Sequence, residues 1–195
     1  HYAHLEHNLS GQAGETGGRH PVPEADKFTL LMQNYGVDSD TLLITYDSGD
    51  LCAATRLWWL ARYFGHQSVC VLNGGIKAWS KSSQRLESGT VSAQKGSFIA
   101  EIINDMRIDY SELCDTKEHL NLIDTRVSSR YEGFDEPVDL YGGHIVDAIN
   151  MPWTESFDEN GLLLDAKAQL KRWQFIQSDD RQPVLYCGSG VTACV

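Results

Sequence analysis

The residues best suited to chemistry lie in the last thirteen positions. Pro183-Val184-Leu185-Tyr186 reads as a short buried strand, Cys187 follows it directly, and Gly188-Ser189-Gly190 makes a tight turn. Val191-Thr192-Ala193-Cys194-Val195 then has the small-residue character of a helix start. A thiol is thereby set between the carboxyl end of a strand and a turn, the place where open parallel sheets bind ligands. Backbone N–H groups of the turn, with the helix end behind them, favour an anion at the sulfur. Such surroundings can lower a thiol pKa from about 8.5 to about 7 or below. Each unit is worth roughly 1.4 kcal/mol in favour of the thiolate. Gly188 and Gly190 open turn conformations closed to other residues, which would aim amides at the sulfur. The hydroxyls of Ser189 and Thr192 can either bond a sulfur anion or simply cap the turn. Arg130, some sixty residues upstream, could on its own simply make a surface ion pair with Glu132 or Asp135.

The elements that must hold these groups alternate between strand and helix. Pro23-Glu24 starts a helix with Phe28, Leu31, Met32 and Tyr35 on one stripe and Gly36 as its stop. Thr41 to Tyr46 reads as a strand, residues 47–50 as a turn, and Cys52 to Phe64 as an apolar helix ended by Gly65. Ser68 to Leu72 reads as a buried strand, and Asn73-Gly74-Gly75 turns into a short helix through Trp79. Trp58, Trp59 and Trp79 are expected in the core. Farther on come a helix at Tyr110–Cys114, a strand at Leu120–Ile123 and a turn or helix start at Ser128–Tyr131. A strand at Ala148–Asn150 and a single amphipathic helix over Asp165–Ile176 precede the final strand. This alternation, with Gly-rich turns, indicates α/β units with parallel sheets. The loop-like opening from His1 and the stop just past the reactive turn lead us to expect a chain truncated at both ends.

A formal charge of −11 in 195 residues argues against a nucleic-acid or anionic-membrane surface. It leaves room for a local positive site that takes a small anion. No apolar run reaches bilayer length. The five cysteines (Cys52, Cys70, Cys114, Cys187 and Cys194) have neither zinc-ligand spacing nor a disulfide-framework pattern, which suggests a reducing compartment, the cytoplasm. No cofactor motif and no metal-binding motif is visible.

The two halves repeat one another. Leu43-Ile44-Thr45-Tyr46-Asp47-Ser48-Gly49 parallels Val184-Leu185-Tyr186-Cys187-Gly188-Ser189-Gly190, with Asp47 in the place of Cys187. An aspartate cannot act as a sulfur nucleophile, so one half would catalyse and the other support. At this point the chain resembles the rhodanese family, specifically its tandem-domain sulfurtransferases. In the first half the resemblance rests on Tyr46-Asp47, Trp58-Trp59-Leu60, Gly65-His66, Val71-Leu72-Asn73-Gly74-Gly75 and Trp79. In the second it rests on Leu122-Ile123-Asp124-Thr125-Arg126, Arg130-Tyr131, Glu136-Pro137, Gly143-His144-Ile145, Ala148-Ile149-Asn150 and the loop Cys187 to Thr192.

The resemblance implies two rhodanese-like domains, each a mainly parallel sheet flanked by helices. We place an inactive first domain at 1–90, a linker at 91–104 and a catalytic domain at 105–195. It further implies that Cys187 takes the sulfane sulfur of thiosulfate or 3-mercaptopyruvate as a persulfide. Cyanide or a thiol then removes that sulfur in a two-step, ping-pong reaction. Gly188, Ser189, Gly190, Val191 and Thr192 form the active loop, and Arg130 binds the anionic end of the donor. Ser189 matches a serine of the mercaptopyruvate enzymes, whereas Val138 stands where those enzymes often carry a second arginine. Arg126 and His144 are expected to be structural. No cofactor or metal is implied, a thioredoxin-like reductant is a further partner, and the protein is expected to be monomeric.

Three other readings compete. A Cys-x5-Arg phosphatase or arsenate reductase needs an arginine six residues after the cysteine, and that position is Ala193. A non-catalytic rhodanese-like binding module would have lost the cysteine. A persulfide carrier serving a protein partner would share the same loop chemistry.

Overall fold

Strand and helix alternate through both halves of the computed structural model, which describes residues 1–14 and 18–195. The loop expected over His1–Arg19 therefore includes three positions, 15–17, outside the described residues. The chain divides into two units, built on His1–Met106 and on Arg107–Ala193.

The first unit opens with α1 (Ala25–Asn34), whose buried stripe of Phe28 and Met32 follows the helical period read from sequence. Strand β1 (Leu43–Thr45) pairs in parallel with β2 (Val69–Val71), and α2 (Cys52–Tyr63) makes the crossover between them. Gly65, at φ +88°, lets the chain reverse at the end of α2, where its N–H and that of His66 bond the carbonyls of Arg62 and Ala61. Helix α3 (Gly75–Lys81) follows β2. The core gathers Leu9, Phe28, Met32, Val37, Leu60, Tyr63, Phe64 and Phe98. Residues 96–103 lie along this unit in extended form: Gly96, Phe98, Glu101 and Ile103 donate to the carbonyls of Gln33, Val37, Phe64 and Tyr63.

The second unit contains α4 (Tyr110–Thr116), β3 (Leu120–Asp124), α5 (Ser128–Tyr131), β4 (Ile149–Asn150), α6 (Ala166–Arg172), α7 (Gln174–Gln177) and β5 (Gln182–Tyr186). The sheet order is β4-β3-β5, all parallel. All five residues of the central strand β3 are buried, as expected of a strand covered on both faces. Asp109 and Asp165 cap α4 and α6 by accepting the N–H groups of Glu112 and Ala168.

Three expectations need correction. The continuous helix over 165–176 breaks at Trp173 (φ −95°, ψ 10°), a conformation off the α-helical line that resets the hydrogen-bond ladder. Periodicity alone does not reveal such a break. The strands read as buried from apolar content are only partly covered. Cys70 of β2 and Leu185 of β5 are exposed, and β5 lies at the edge of its sheet. Trp79 is also exposed and anchors through its indole N–H to the Arg85 carbonyl, while Trp58 and Trp59 are half-buried.

Candidate active site

The site forms where β3 and β5 end side by side. The N–H and hydroxyl of Thr125 both donate to the Tyr186 carbonyl (2.9 and 3.2 Å), which locks the last residue of β5 to the residue after β3. This bond brings Cys187 and the segment Asp124-Thr125-Arg126 to one sheet end, the carboxyl end.

Cys187 is half-buried, and its Sγ accepts the N–H groups of Gly190 (3.1 Å) and Ser189 (3.5 Å). Burial pushes the thiol up. Hydrogen bonds from the Thr192 hydroxyl and from the amides of Ser189, Ala193 and Gly190 outweigh burial and bring it below the usual thiol range. The turn closes because Gly190 adopts φ +74°, a left-handed value that a side chain would resist. Gly188 has no such value among the positive-φ glycines, so its part is to line the cavity beside the sulfur. Val191 is buried and pins the loop, and the residues after it form a 3-10 turn, Thr192–Cys194, in place of the α-helical start expected there. The hydroxyl that reaches the sulfur is that of Thr192, and Ser189 contributes its amide.

A cavity of about 370 Å³ opens over the thiol, lined among others by Arg126, Asp139, Tyr141, His144, Tyr186 and Cys187. Arg126 is buried and fully engaged. It meets Asp124 at 2.6 Å, the Gly143 carbonyl at 2.6 Å and Glu136 at 3.4 Å. Asp124 is itself completely buried, so this pair joins the end of β3 to the loop before β4. The expectation that Arg126 is structural matches this geometry. His144 stacks on Tyr131 (centroids 3.6 Å apart), and its Nδ1 lies 2.7 Å from the Tyr131 carbonyl. That arrangement fixes the loop, as expected of His144.

Arg130 sits on α5. Its guanidinium pairs with Glu136 (2.8 Å) and Asp139 (2.7 Å), not with Glu132 or Asp135. It is not among the cavity-lining residues, whereas its partner Asp139 is. Glu136 accepts the N–H groups of Asp139 and Val138 as well as Arg130, and these bonds hold its carboxyl down at about 2.

Sequence reasoning named Glu136 and Gly143-His144-Ile145 as landmarks but missed that Gly143, His144 and Ile145 wall the cavity, while Glu136 holds Arg126 and Arg130 beside it. It gave Tyr186 only as a strand residue and did not single out Asp139. Tyr186 lends its phenolic oxygen to the Ile145 N–H at 3.1 Å. Burial drives its ionisation far above the ordinary phenol range, so the phenol remains protonated. A tyrosine immediately before a candidate nucleophile was the available signal, since its neighbour in the strand points to the same sheet end.

The corresponding turn of the first unit holds a carboxylate. Asp47 accepts the N–H groups of Gly49 (2.8 Å), Leu51 (3.1 Å) and Ala54 (3.2 Å) at the start of α2. Both turns thus direct amides at an anionic side chain, sulfur in one and oxygen in the other.

Comparisons with known proteins agree with this geometry. Residues 7–82 and 108–195 match the model of the Rhodanese-like domain. The 3-mercaptopyruvate sulfurtransferase of Escherichia coli (strain K12) is 34% identical over 180 residues, covering 90% of this chain and 64% of that protein. The human 3-mercaptopyruvate sulfurtransferase is 32% identical over 182 residues, covering 90% of this chain and 61% of its own length. The chain therefore spans under two thirds of these relatives. The crystal structure of SseA from Escherichia coli, a 3-mercaptopyruvate sulfurtransferase with the rhodanese fold, superimposes with a TM-score of 0.83 at 31% identity. That match covers 98% of this chain and 72% of SseA.

Proposed function

The chain belongs to the rhodanese family, and from that membership we propose that it acts as a sulfurtransferase through Cys187. One observation carries the reading: the Cys187 sulfur receives several hydrogen bonds from its own loop and borders an open cavity. These bonds favour the thiolate, the form that attacks sulfur.

With 3-mercaptopyruvate as donor, the thiolate attacks the thiol sulfur and the carbon–sulfur bond breaks. The electron pair leaves as the enolate of pyruvate, which takes up a proton, and Cys187 retains the persulfide. With thiosulfate, the outer sulfur transfers in the same way and sulfite departs. In the second half-reaction cyanide attacks the outer persulfide sulfur, giving thiocyanate and the free thiolate. A thiol acceptor, kept reduced by a thioredoxin-like partner, would instead leave with the sulfur as its own persulfide. The Cys187 thiolate is the nucleophile of the first half-reaction and the leaving group of the second, so the amides of Ser189, Gly190 and Ala193 and the Thr192 hydroxyl serve both halves of the cycle. Arg130 receives the anionic end of the donor, in exchange for one of its present carboxylate partners. The resemblance of the chain to mercaptopyruvate sulfurtransferases favours 3-mercaptopyruvate as donor.

The intact protein should gain about 32 Da, one sulfur atom, on Cys187 after exposure to donor, and lose it on adding cyanide. Cys187→Ser should fold normally and gain nothing. Turnover retained in that variant would remove Cys187 from the reaction. Arg130→Ala should raise the donor KM several-fold with a smaller change in kcat, since it removes a binding contact.

A further inference from the structure

We propose that Asp139 selects donors by charge, disfavouring dianions such as thiosulfate relative to monoanions such as 3-mercaptopyruvate. This inference rests on the sulfurtransferase reading above. Asp139 lines the cavity beside Cys187, and the guanidinium it pairs with, that of Arg130, does not. A donor anion approaching Arg130 from the cavity therefore meets a carboxylate first.

The two guanidinium groups beside that carboxylate are shared with others. The guanidinium groups of Arg126 and Arg130 are tied to three carboxylates, Asp124, Glu136 and Asp139. Negative charge thus exceeds positive in this cluster before the Cys187 thiolate or the donor is counted. Two of the three carboxylates are fixed. Asp124 is fully buried against Arg126, and Glu136 is buried under the amides of Val138 and Asp139. The Asp139 side chain is 32% exposed, so it is the carboxylate of the three that an incoming ligand can move aside.

The cost of bringing an anion next to Asp139 scales with the anion's charge. Thiosulfate brings two negative charges on a small body. 3-Mercaptopyruvate brings one, on its carboxylate, and its keto and thiol groups are neutral. One additional like charge a few ångströms away in a partly wetted site changes affinity by about fivefold to tenfold.

The test measures kcat/KM for both donors, with cyanide as acceptor, on the intact wild-type protein and on Asp139→Asn and Asp139→Glu at fixed ionic strength. Asp139→Asn removes the charge and keeps the shape. Its thiosulfate kcat/KM should rise about fivefold or more relative to its 3-mercaptopyruvate kcat/KM, with the gain in KM. Asp139→Glu keeps the charge and should keep the wild-type ratio. Should the Asn variant be poorly folded by thermal denaturation, Asp139→Ser replaces it in the same comparison. A donor ratio unchanged on neutralising residue 139, whether both activities move together or neither moves, overturns the proposal. Failure of both donors to load sulfur on Cys187 in every protein overturns the underlying sulfurtransferase reading, a result the ratio cannot mimic.

Discussion

The anion at Cys187 is held by neighbours two to six residues away, so its chemistry is a property of one short loop. Burial opposes that anion, and the hydrogen bonds must exceed the burial penalty for the thiolate to form near neutral pH. Of the donors to the sulfur, the Thr192 hydroxyl is the one that a side-chain substitution removes cleanly. Thr192→Val, nearly the same shape, should move the alkylation pH profile of Cys187 to higher pH. The direction follows because the lost bond favoured the charged form. At neutral pH the sulfur-transfer rate should fall about threefold to tenfold. Iodoacetamide reaction rates across pH, read by mass at Cys187, measure the first effect directly. The cysteine and glycine turn were legible from residue order alone. The division of labour between Ser189 and Thr192 was not, because it depends on which way each hydroxyl points once the loop has closed.

At the scale of elements, the two strand–turn–helix units share one solution to one problem. Each strand ends in a side chain that can carry negative charge, and the turn after it folds its amides onto that group. In the first unit this arrangement supports a strained residue: Leu51 has φ +60° yet is fully buried, and its N–H is bound by Asp47. Asp47 also accepts from Ala54, in the first turn of α2, in the manner of a helix cap. Asp47→Ala should therefore destabilise the first unit by about 1–2 kcal/mol, the usual worth of a lost cap. Urea denaturation followed by the fluorescence of Trp58 and Trp59 on α2 would read it. An unchanged midpoint would mean the carboxylate is dispensable to the turn. The alternation of Leu43–Thr45, α2 and Val69–Val71 was visible in apolar runs and glycine punctuation. Which strand faces stay covered was not, since an apolar strand reads the same at a sheet edge as at its centre. The break at Trp173 escaped for a similar reason: the apolar stripe carries through it.

Across the whole chain, an excess of acidic residues coexists with the site proposed to receive an anionic donor. The reconciliation is local, through the backbone amides of one loop aimed at the Cys187 sulfur. Among the described residues no helix is long and apolar enough to cross a membrane. The same acidic groups make stability depend on pH. Glu136 is held at about 2, below its ordinary 4.5, mainly by the Asp139 amide and by Arg130 and the Val138 amide, against the opposing effect of burial. A carboxyl lowered in the folded state stabilises fully above its unfolded pKa and loses that contribution as pH falls through its folded value. The benefit from Glu136 should thus be complete above about pH 4.5 and fade toward pH 2. Glu136→Gln should lower the melting temperature at neutral pH, and the gap to wild type should narrow as the pH is lowered through that window. A gap that stays constant with pH would show that the charge on Glu136 contributes nothing to folding.

Residue order by itself determined the α/β alternation, the repeat of strand, turn and helix in the two halves, and the position of a thiol at the end of a strand. Each depends on contacts among near neighbours in sequence, and periodicity and glycine placement record such contacts. Only tertiary structure decided what surrounds that thiol. Asp139 and Glu136 around Arg130, Asp124 and Gly143 around Arg126, and Tyr186 under Ile145 are brought together by parallel pairing of β3 with β4 and β5. These groups meet over a few ångströms of space across separations of up to 41 residues in the chain, and composition carries no trace of which ones will meet.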